Sequence, residues 1–164
     1  MILANSVSRA KLSAVTRLAV ICVLLCLALP NESWAAPGKV KKVLTFYLDQ
    51  EGRQSLSPSL YDRDAYQALL RNDATKRSGL RFDVQWNAST PAPLILRVDM
   101  RGAKGTENTK ARVEGTVRKR GFFSRWTELA LTGEEYQKFG ELVAWRATLW
   151  QGDVMVGEQK SFLW

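Results

Sequence analysis

The sequence predicts an all-β fold, mainly antiparallel, in the form of a seven-stranded immunoglobulin-like or C2-like β-sandwich with two short helical insertions. Short runs of alternating apolar and polar residues recur along the chain, and this period of two is typical of strands with one buried face. Turn-forming residues separate the runs at the regular spacing of antiparallel sandwiches. The third observation is the apolar C-terminal segment, residues 140–164, which has the pattern of a hairpin. A closed β-barrel is the alternative architecture.

The C-terminal segment predicts two strands on either side of a turn at Gln151-Gly152-Asp153. Alternation divides the first strand into two faces that are both largely apolar, which favours a central strand covered on each side. We expect Trp145 to be buried. The predicted inward face comprises Val143, Trp145, Ala147 and Leu149. The opposite face comprises Ala144, Arg146, Thr148 and Trp150.

Five further strands are predicted before this hairpin, and the connections between them are rich in Gly, Pro, Ser and Asn. The cleanest pattern is LRFDVQW, in which four large apolar residues alternate with polar ones. The two strands after it are predicted to be joined by a polar loop, RGAKGTENT. The predicted strands are 40–49, 80–86, 94–100, 111–117 and 125–131.

The first helical insertion is predicted from Pro58 to about Arg71, with Ser57 as its N-cap. Helical periodicity groups its apolar side chains into one stripe, which we expect to be buried, while the polar side chains remain in solvent. The predicted buried stripe comprises Tyr61, Ala65, Ala68 and Leu69. The predicted solvent face includes Arg63, Gln67 and Arg71.

The second insertion is predicted as a two-turn helix between the last strands. Thr132 has the position of an N-cap, and Glu135, three residues later, would complete a capping box. Gly140 follows the last helical residue, where a left-handed backbone conformation commonly ends a helix.

Residues 1–35 have the pattern of a cleavable secretory signal peptide, and residues 36–164 are predicted to form a single β-sandwich domain. A basic leader precedes the apolar run Leu18 to Leu29, Pro30 follows the run, and Ala35 suits the last position before the cleavage site. Both cysteines lie in this leader, so the mature chain has none. Small secreted animal domains usually carry disulfides, and we therefore expect a periplasmic location, with secretion or membrane anchoring as alternatives.

Basic residues dominate one part of the chain. Without the leader, the 24 Lys and Arg and 16 Asp and Glu become 21 and 15. Residues 97–125 hold nine basic and three acidic residues, so this segment carries the whole excess of +6.

Catalytic signatures are missing from the sequence. The chain has no histidine, and the mature chain has no cysteine, which removes the commonest general base, the usual zinc ligands and the thiol nucleophile. The acid pairs Asp62/Asp64 and Glu134/Glu135 would point in different directions on a helix. We therefore predict no catalytic residues, no metal site and no cofactor.

Two other parts of the sequence are weaker candidates for a ligand site. The segment Asp49-Gln50-Glu51-Gly52 offers carboxylates for calcium, but the full loop pattern is absent. Arg146 lies between Trp145 and Trp150 in the central strand, where it would recognise an anionic ligand, pair with a carboxylate on the next strand, or stack on a tryptophan.

The strongest candidate for a binding site is the segment 118–126, RKRGFFSRW. Adjacent phenylalanines on an extended chain cannot both point inward, so one of them is either exposed or held in a folded-back loop. Basic residues interleaved with aromatic ones suit an anionic surface, although a solvated turn whose second phenylalanine covers the end of the core is the alternative. The predicted partner-binding residues are Arg118, Lys119, Arg120, Phe122, Phe123 and Arg125.

These observations favour a non-catalytic exported envelope protein, periplasmic, with a binding or accessory role. Its expected partner is another envelope protein or an anionic envelope surface, and neither nucleic acid nor a small-molecule cofactor is expected. One alternative is a hydrolase on a β-sandwich, acting on carbohydrate through two carboxylates or through a Ser-Lys pair. The other is a structural or assembly protein that pairs through a sheet edge.

Overall fold

The structure, a computed structural model, describes residues 38–90, 92–118 and 123–164. The predicted signal peptide lies outside these residues. The strands in chain order are β1 Gly38–Asp49, β2 Arg77–Ala88, β3 Leu94–Lys104, β4 Glu107–Val117, β5 Arg125–Thr132, β6 Glu141–Gln151 and β7 Val154–Lys160. Helix α1 is Leu60–Asn72, a 3-10 turn follows at Ala74–Lys76, and helix α2 is Gly133–Phe139. Among the described residues, neither helix is long and apolar enough to cross a membrane.

The strands form two antiparallel sheets, which confirms the predicted all-β sandwich with two short helices. One sheet has the order β1-β2-β5, and the other has the order β4-β3-β6-β7. In the constant-type immunoglobulin order the fourth strand belongs to the sheet of the first, second and fifth strands. Here β4 pairs with β3 in the other sheet, so the finer assignment to an immunoglobulin-like or C2-like type stays a prediction.

The core lies between the sheets and is built from alternate residues of their inner faces. β2 and β3 contribute the most, because each buries every second side chain along its length. Phe82, Val84 and Trp86 of β2 are fully buried. The Trp86 indole N–H donates to Thr127 Oγ1 at 2.9 Å, so its polar atom is satisfied inside the core.

β6 departs from the predicted alternation at its start. Its pairing with β3 shifts between Ala144 and Leu142, which leaves Val143 without a partner in the ladder. Val143 is consequently 48% exposed instead of facing inward, while Leu142 packs against the core in its place. Trp145 packs against the core as predicted, but it is only partly buried.

β3 and β4 form a tighter hairpin than the sequence predicted. The segment RGAKGTENT is strand on both sides of a two-residue turn at Gly105-Thr106 rather than a loop. Gly105 adopts a φ of 62°, which a residue with a side chain rarely adopts. The turn therefore allows ladder pairing to continue as far as Lys104 and Glu107.

Helix α1 buries the face that was predicted to be exposed to solvent. Gln67 is only 4% exposed and Leu70 is fully buried, whereas Tyr61 is 83% exposed and Leu69 also faces solvent. The reason is hydrogen bonding between the helix and strand β1. Gln67 accepts from the Tyr47 backbone N–H at 2.8 Å and donates to the Tyr47 carbonyl at 2.9 Å. A polar side chain thus docks the helix, and the apolar stripe points away.

The helix caps differ in detail from the predictions. Ser59, rather than Ser57, is the N-cap of α1, and its hydroxyl accepts from the Asp62 backbone N–H. Thr132 is the N-cap of α2 but makes no side-chain capping bond, so the predicted capping box with Glu135 does not form. Gly140 ends α2 with a φ of 82°, as predicted.

Candidate functional site

The predicted partner-binding residues lie at one end of the sandwich, between β4 and β5. Lys119, Arg120 and Phe122 fall outside the described residues. Arg118 directly follows the end of β4, and Arg125 begins β5. Both arginines are exposed and line the same shallow cavity of about 290 Å³.

Aromatic side chains accompany these two arginines. Trp126 lines the same cavity and is 49% exposed. Phe123 is 87% exposed, so it does not cover the end of the core. Trp86 closes the cavity from the core side, opposite Arg125 across the β2–β5 ladder. We name the set Arg118, Phe123, Arg125 and Trp126 the end cluster.

A second cationic surface lies on the outer face of the four-stranded sheet. Residues directly opposite each other in a ladder share a face, so the register defines rows of side chains across the sheet. One row contains Lys110, Arg101 and Ala144 on β4, β3 and β6. The next row contains Arg112, Asp99, Arg146 and Lys160 on β4, β3, β6 and β7.

These two rows form an open groove of about 520 Å³, which we name the sheet groove. Four cationic side chains line it, against one acidic side chain, that of Asp99. The cationic side chains are those of Arg101, Lys110, Arg112 and Arg146. Arg112 Nε donates to Asp99 Oδ1 at 2.6 Å, which leaves the groove with a clear excess of positive charge.

Trp164 lines the sheet groove because the segment after β7 continues alongside β6 and then ends in a turn. Ser161 holds this segment through two hydrogen bonds to the Trp145 backbone, at 2.9 and 3.0 Å. The Trp164 N–H then donates to the Ser161 carbonyl at 3.3 Å, which closes a turn. The indole ring centroid consequently lies 4.2 Å from Arg101 Cζ and 5.6 Å from Arg146 Cζ.

Arg146 combines the roles that the sequence left open. Its Nε lies 3.5 Å from Glu158 Oε1 on β7, a loose ion pair without hydrogen-bond geometry. Its guanidinium lies near the ring of Trp164, and the residue lines the sheet groove. Arg146 is therefore paired, close to an aromatic ring, and available at the same surface.

The first carboxylate of the calcium candidate, that of Asp49, is engaged with protein groups. Asp49 accepts hydrogen bonds from the Arg53 backbone and guanidinium and from the Tyr66 hydroxyl. Burial raises the pKa of Asp49, but these hydrogen bonds outweigh burial and hold the pKa below its ordinary value. Among the described residues, no three His, Cys, Asp or Glu side chains are placed to hold a metal ion together.

A third polar cluster joins α1, β1, β2 and β6. Arg77 donates to Glu141, and its guanidinium lies 4.2 Å from the centroid of the Tyr47 ring. Burial, together with the Glu141 carboxylate, raises the pKa of Tyr47 to about 12, although Arg77 lowers it. Every member of this cluster bonds within the protein, so we interpret the cluster as structural.

The sequence did not predict that Arg101, Lys110 and Arg112 belong to one site. The sequence pattern that points to this site is the alternation in β3 and β4, which places charged residues on the outer face of both strands. Combining them required the register, which the turn at Gly105 sets. Trp164 was not accessible to such reasoning, because its position depends on the hydrogen bonds of Ser161.

Comparisons with protein-family models, with curated proteins and with solved structures give no match. The functional argument therefore depends on the chemistry of the described surfaces.

Proposed function

We propose that this chain is a non-catalytic exported envelope protein, periplasmic, with a binding or accessory role, and that it contacts an anionic envelope partner through the end cluster. The observation that carries the proposal is the 87% exposure of Phe123, which lies two residues before Arg125 in the connection that Arg118 begins. The predicted contact residues Lys119, Arg120 and Phe122 belong to the same connection between β4 and β5.

Exposure of an apolar ring among cations has a specific physical meaning. Burial of a phenylalanine side chain is favourable by roughly 1.5–3 kcal/mol relative to exposure, and Phe123 does not contribute this free energy in the free protein. A partner that covers the ring would gain it as binding free energy. Trp126, which is apolar in its body and polar at its indole nitrogen, suits the boundary between an apolar layer and water.

The arginines determine which partner this surface favours. Guanidinium groups form paired hydrogen bonds to phosphate and carboxylate oxygens, and anionic lipid headgroups display these groups at high density. Aromatic insertion combined with attraction to anionic headgroups is the pattern of interfacial membrane binding. An anionic bilayer surface is thus the favoured partner, and an anionic face of another envelope protein is the alternative.

Co-sedimentation with vesicles tests the proposal. We expect the protein to bind vesicles that contain phosphatidylglycerol and to bind neutral phosphatidylcholine vesicles more weakly. Added salt should reduce the binding, because charges more than about 8 Å apart are screened at physiological ionic strength. Phe123→Ser should weaken binding about ten-fold, which corresponds to the loss of one buried aromatic side chain.

The chain offers a matched control, since Phe162 is also fully exposed but lies in the segment after β7. Phe162→Ser should leave vesicle binding unchanged, and neither variant should alter the melting temperature substantially. Equal, salt-insensitive retention on both vesicle types, or none on either, would contradict the lipid proposal. A protein partner would then be the surviving version.

A further inference from the structure

We propose that the sheet groove is a second binding site, one that takes an oxyanion between Arg101 and Lys110. The oxyanion is the phosphate or carboxylate group of a ligand about the size of a sugar phosphate. This inference does not depend on the end cluster, because the two surfaces share no residue.

Two cations of the groove face each other across the sheet. Arg101 and Lys110 are direct partners across β3 and β4, so their Cβ atoms are about 4.5–5.5 Å apart. Like charges in directly opposite positions of a sheet destabilise it. An oxyanion bound between the two side chains converts this repulsion into two attractive contacts.

The neighbouring arginines on the same face each have an acidic partner. Arg97 pairs with Glu114 at 2.9 Å, Arg112 pairs with Asp99 at 2.6 Å, and Arg146 lies 3.5 Å from Glu158. Within the described part of the chain, neither Arg101 nor Lys110 has a carboxylate within salt-bridge distance. The sheet thus leaves two adjacent cations of the groove without a counter-charge, while it supplies one to each of the three neighbouring arginines.

The ring of Trp164 restricts the orientation of Arg101. Its guanidinium lies 4.2 Å from the centroid of the Trp164 ring, a distance typical of stacking between a guanidinium and an aromatic ring. Stacking restricts the side chain, so less conformational entropy is lost when its N–H groups bind an oxyanion. Trp164 is therefore a positioning residue for Arg101.

The size and charge of the groove favour a small anionic ligand. Its volume of about 520 Å³ lies within the range of small-molecule sites and matches a ligand of sugar-phosphate size. Four cations against one carboxylate favour a multiply charged ligand. The single acid is bonded to Arg112, so the groove lacks the two facing carboxylates that glycoside hydrolysis requires. Binding, rather than hydrolysis, is the role that this composition supports.

Isothermal titration calorimetry with three probes tests the inference: glucose 6-phosphate, inorganic phosphate and digalacturonic acid. We expect at least one probe to bind with one-to-one stoichiometry at millimolar concentration or below. Arg101→Gln and Lys110→Gln should each lower its affinity at least about ten-fold, the loss expected for one charge-assisted hydrogen bond. The ranking of the three probes identifies whether phosphate or carboxylate is preferred.

The matched control is Lys160→Gln, because Lys160 lies on the same outer face but does not line the groove. This variant should change the affinity less than two-fold. Trp164→Phe should retain most of the binding, and Trp164→Ala should lose it, if the ring acts by holding Arg101. Arg101 and Lys110 are exposed and carry like charges, so Arg101→Gln and Lys110→Gln should not lower the melting temperature.

Two results would overturn the inference. One is the absence of binding for all three probes. The other is an equal loss in Lys160→Gln and Arg101→Gln, which would indicate general attraction to a positive surface. Glucose 6-phosphate binding that survives in Phe123→Ser, while vesicle binding is lost in that variant, would show that the two sites act separately.

Discussion

Arg77 on β2 donates a hydrogen bond to Glu141 on β6, and this ion pair joins the two sheets of the sandwich. The same guanidinium donates to the carbonyls of Leu70 and Arg71 at the end of α1. The last carbonyls of a helix have no partner within it, so Arg77 satisfies two of them. One buried side chain therefore ties helix α1 and both sheets together.

Arg77→Gln should destabilise the protein by about 2–4 kcal/mol, because charge-assisted hydrogen bonds are lost and buried carbonyls become unsatisfied. Urea denaturation measures the change in the free energy of unfolding. Arg71→Gln is the matched control and should cost less than about 0.5 kcal/mol, since Arg71 is exposed. A cost for Arg77→Gln as small as that of the control would show that the cluster is not structural.

Glu141→Gln should cost clearly less than Arg77→Gln. The Glu141 side chain is half exposed, so water replaces part of its interaction with the guanidinium, and we expect a loss of about 1 kcal/mol or less. The same denaturation experiment compares the two variants. A larger loss in Glu141→Gln would mean that the ion pair, rather than the helix carbonyls, dominates the role of Arg77.

Two tryptophans should differ in their contribution to the core. Trp86 is fully buried, and Trp86→Ala should cost about 3–5 kcal/mol. Trp145 is only half-buried, so Trp145→Ala should cost about 2 kcal/mol because a smaller area leaves water. Chemical denaturation checks the order, and the reverse order would place the centre of the core nearer β6 than β2.

Acidification should remove the contribution that Asp49 makes to the free energy of unfolding. Its folded-state pKa lies below the ordinary value of 3.8, so the ionised carboxylate stabilises the fold at every pH above that value. This contribution is lost as the pH falls through the folded-state pKa. The free energy of unfolding should therefore decline between about pH 5 and pH 2, and Asp49→Asn should make the decline shallower. An unchanged slope in the variant would assign the acid sensitivity to other carboxylates.

The predicted signal peptide can be tested by identifying the first residue of the protein. If residues 1–35 are a signal peptide, the protein recovered from its native host begins at Ala36. Mass spectrometry of the purified protein determines the first residue. An intact form that begins at Met1 in the membrane fraction would instead indicate an anchored protein.

The fold class was predictable because alternation is a local signal. β2 and β3 bury one face completely, and their apolar residues occur at every second position. The same logic failed at Val143, because one bulged residue reverses the faces on either side of it. It also failed for α1, because the burial of Gln67 depends on the backbone of Tyr47, twenty residues away in sequence.

The two candidate sites also differ in how far they can be predicted from the sequence. The composition of segment 118–126 is visible in the sequence, and the exposure of Phe123 agrees with one of the two interpretations offered for it. The sheet groove assembles residues from β3, β4 and β6 with Trp164, so it exists only once strand order and register are known. Local patterns reveal which side chains share a face, but not which strands are neighbours.

The amide of Gln67 has a consequence for self-association. β1 is an edge strand, and the outward N–H and C=O of Tyr47 would otherwise form a template for an incoming strand. Gln67 bonds both groups as a neighbouring peptide unit would, and α1 covers this part of the edge. An added strand must therefore displace a helix before it can extend the three-stranded sheet at Tyr47.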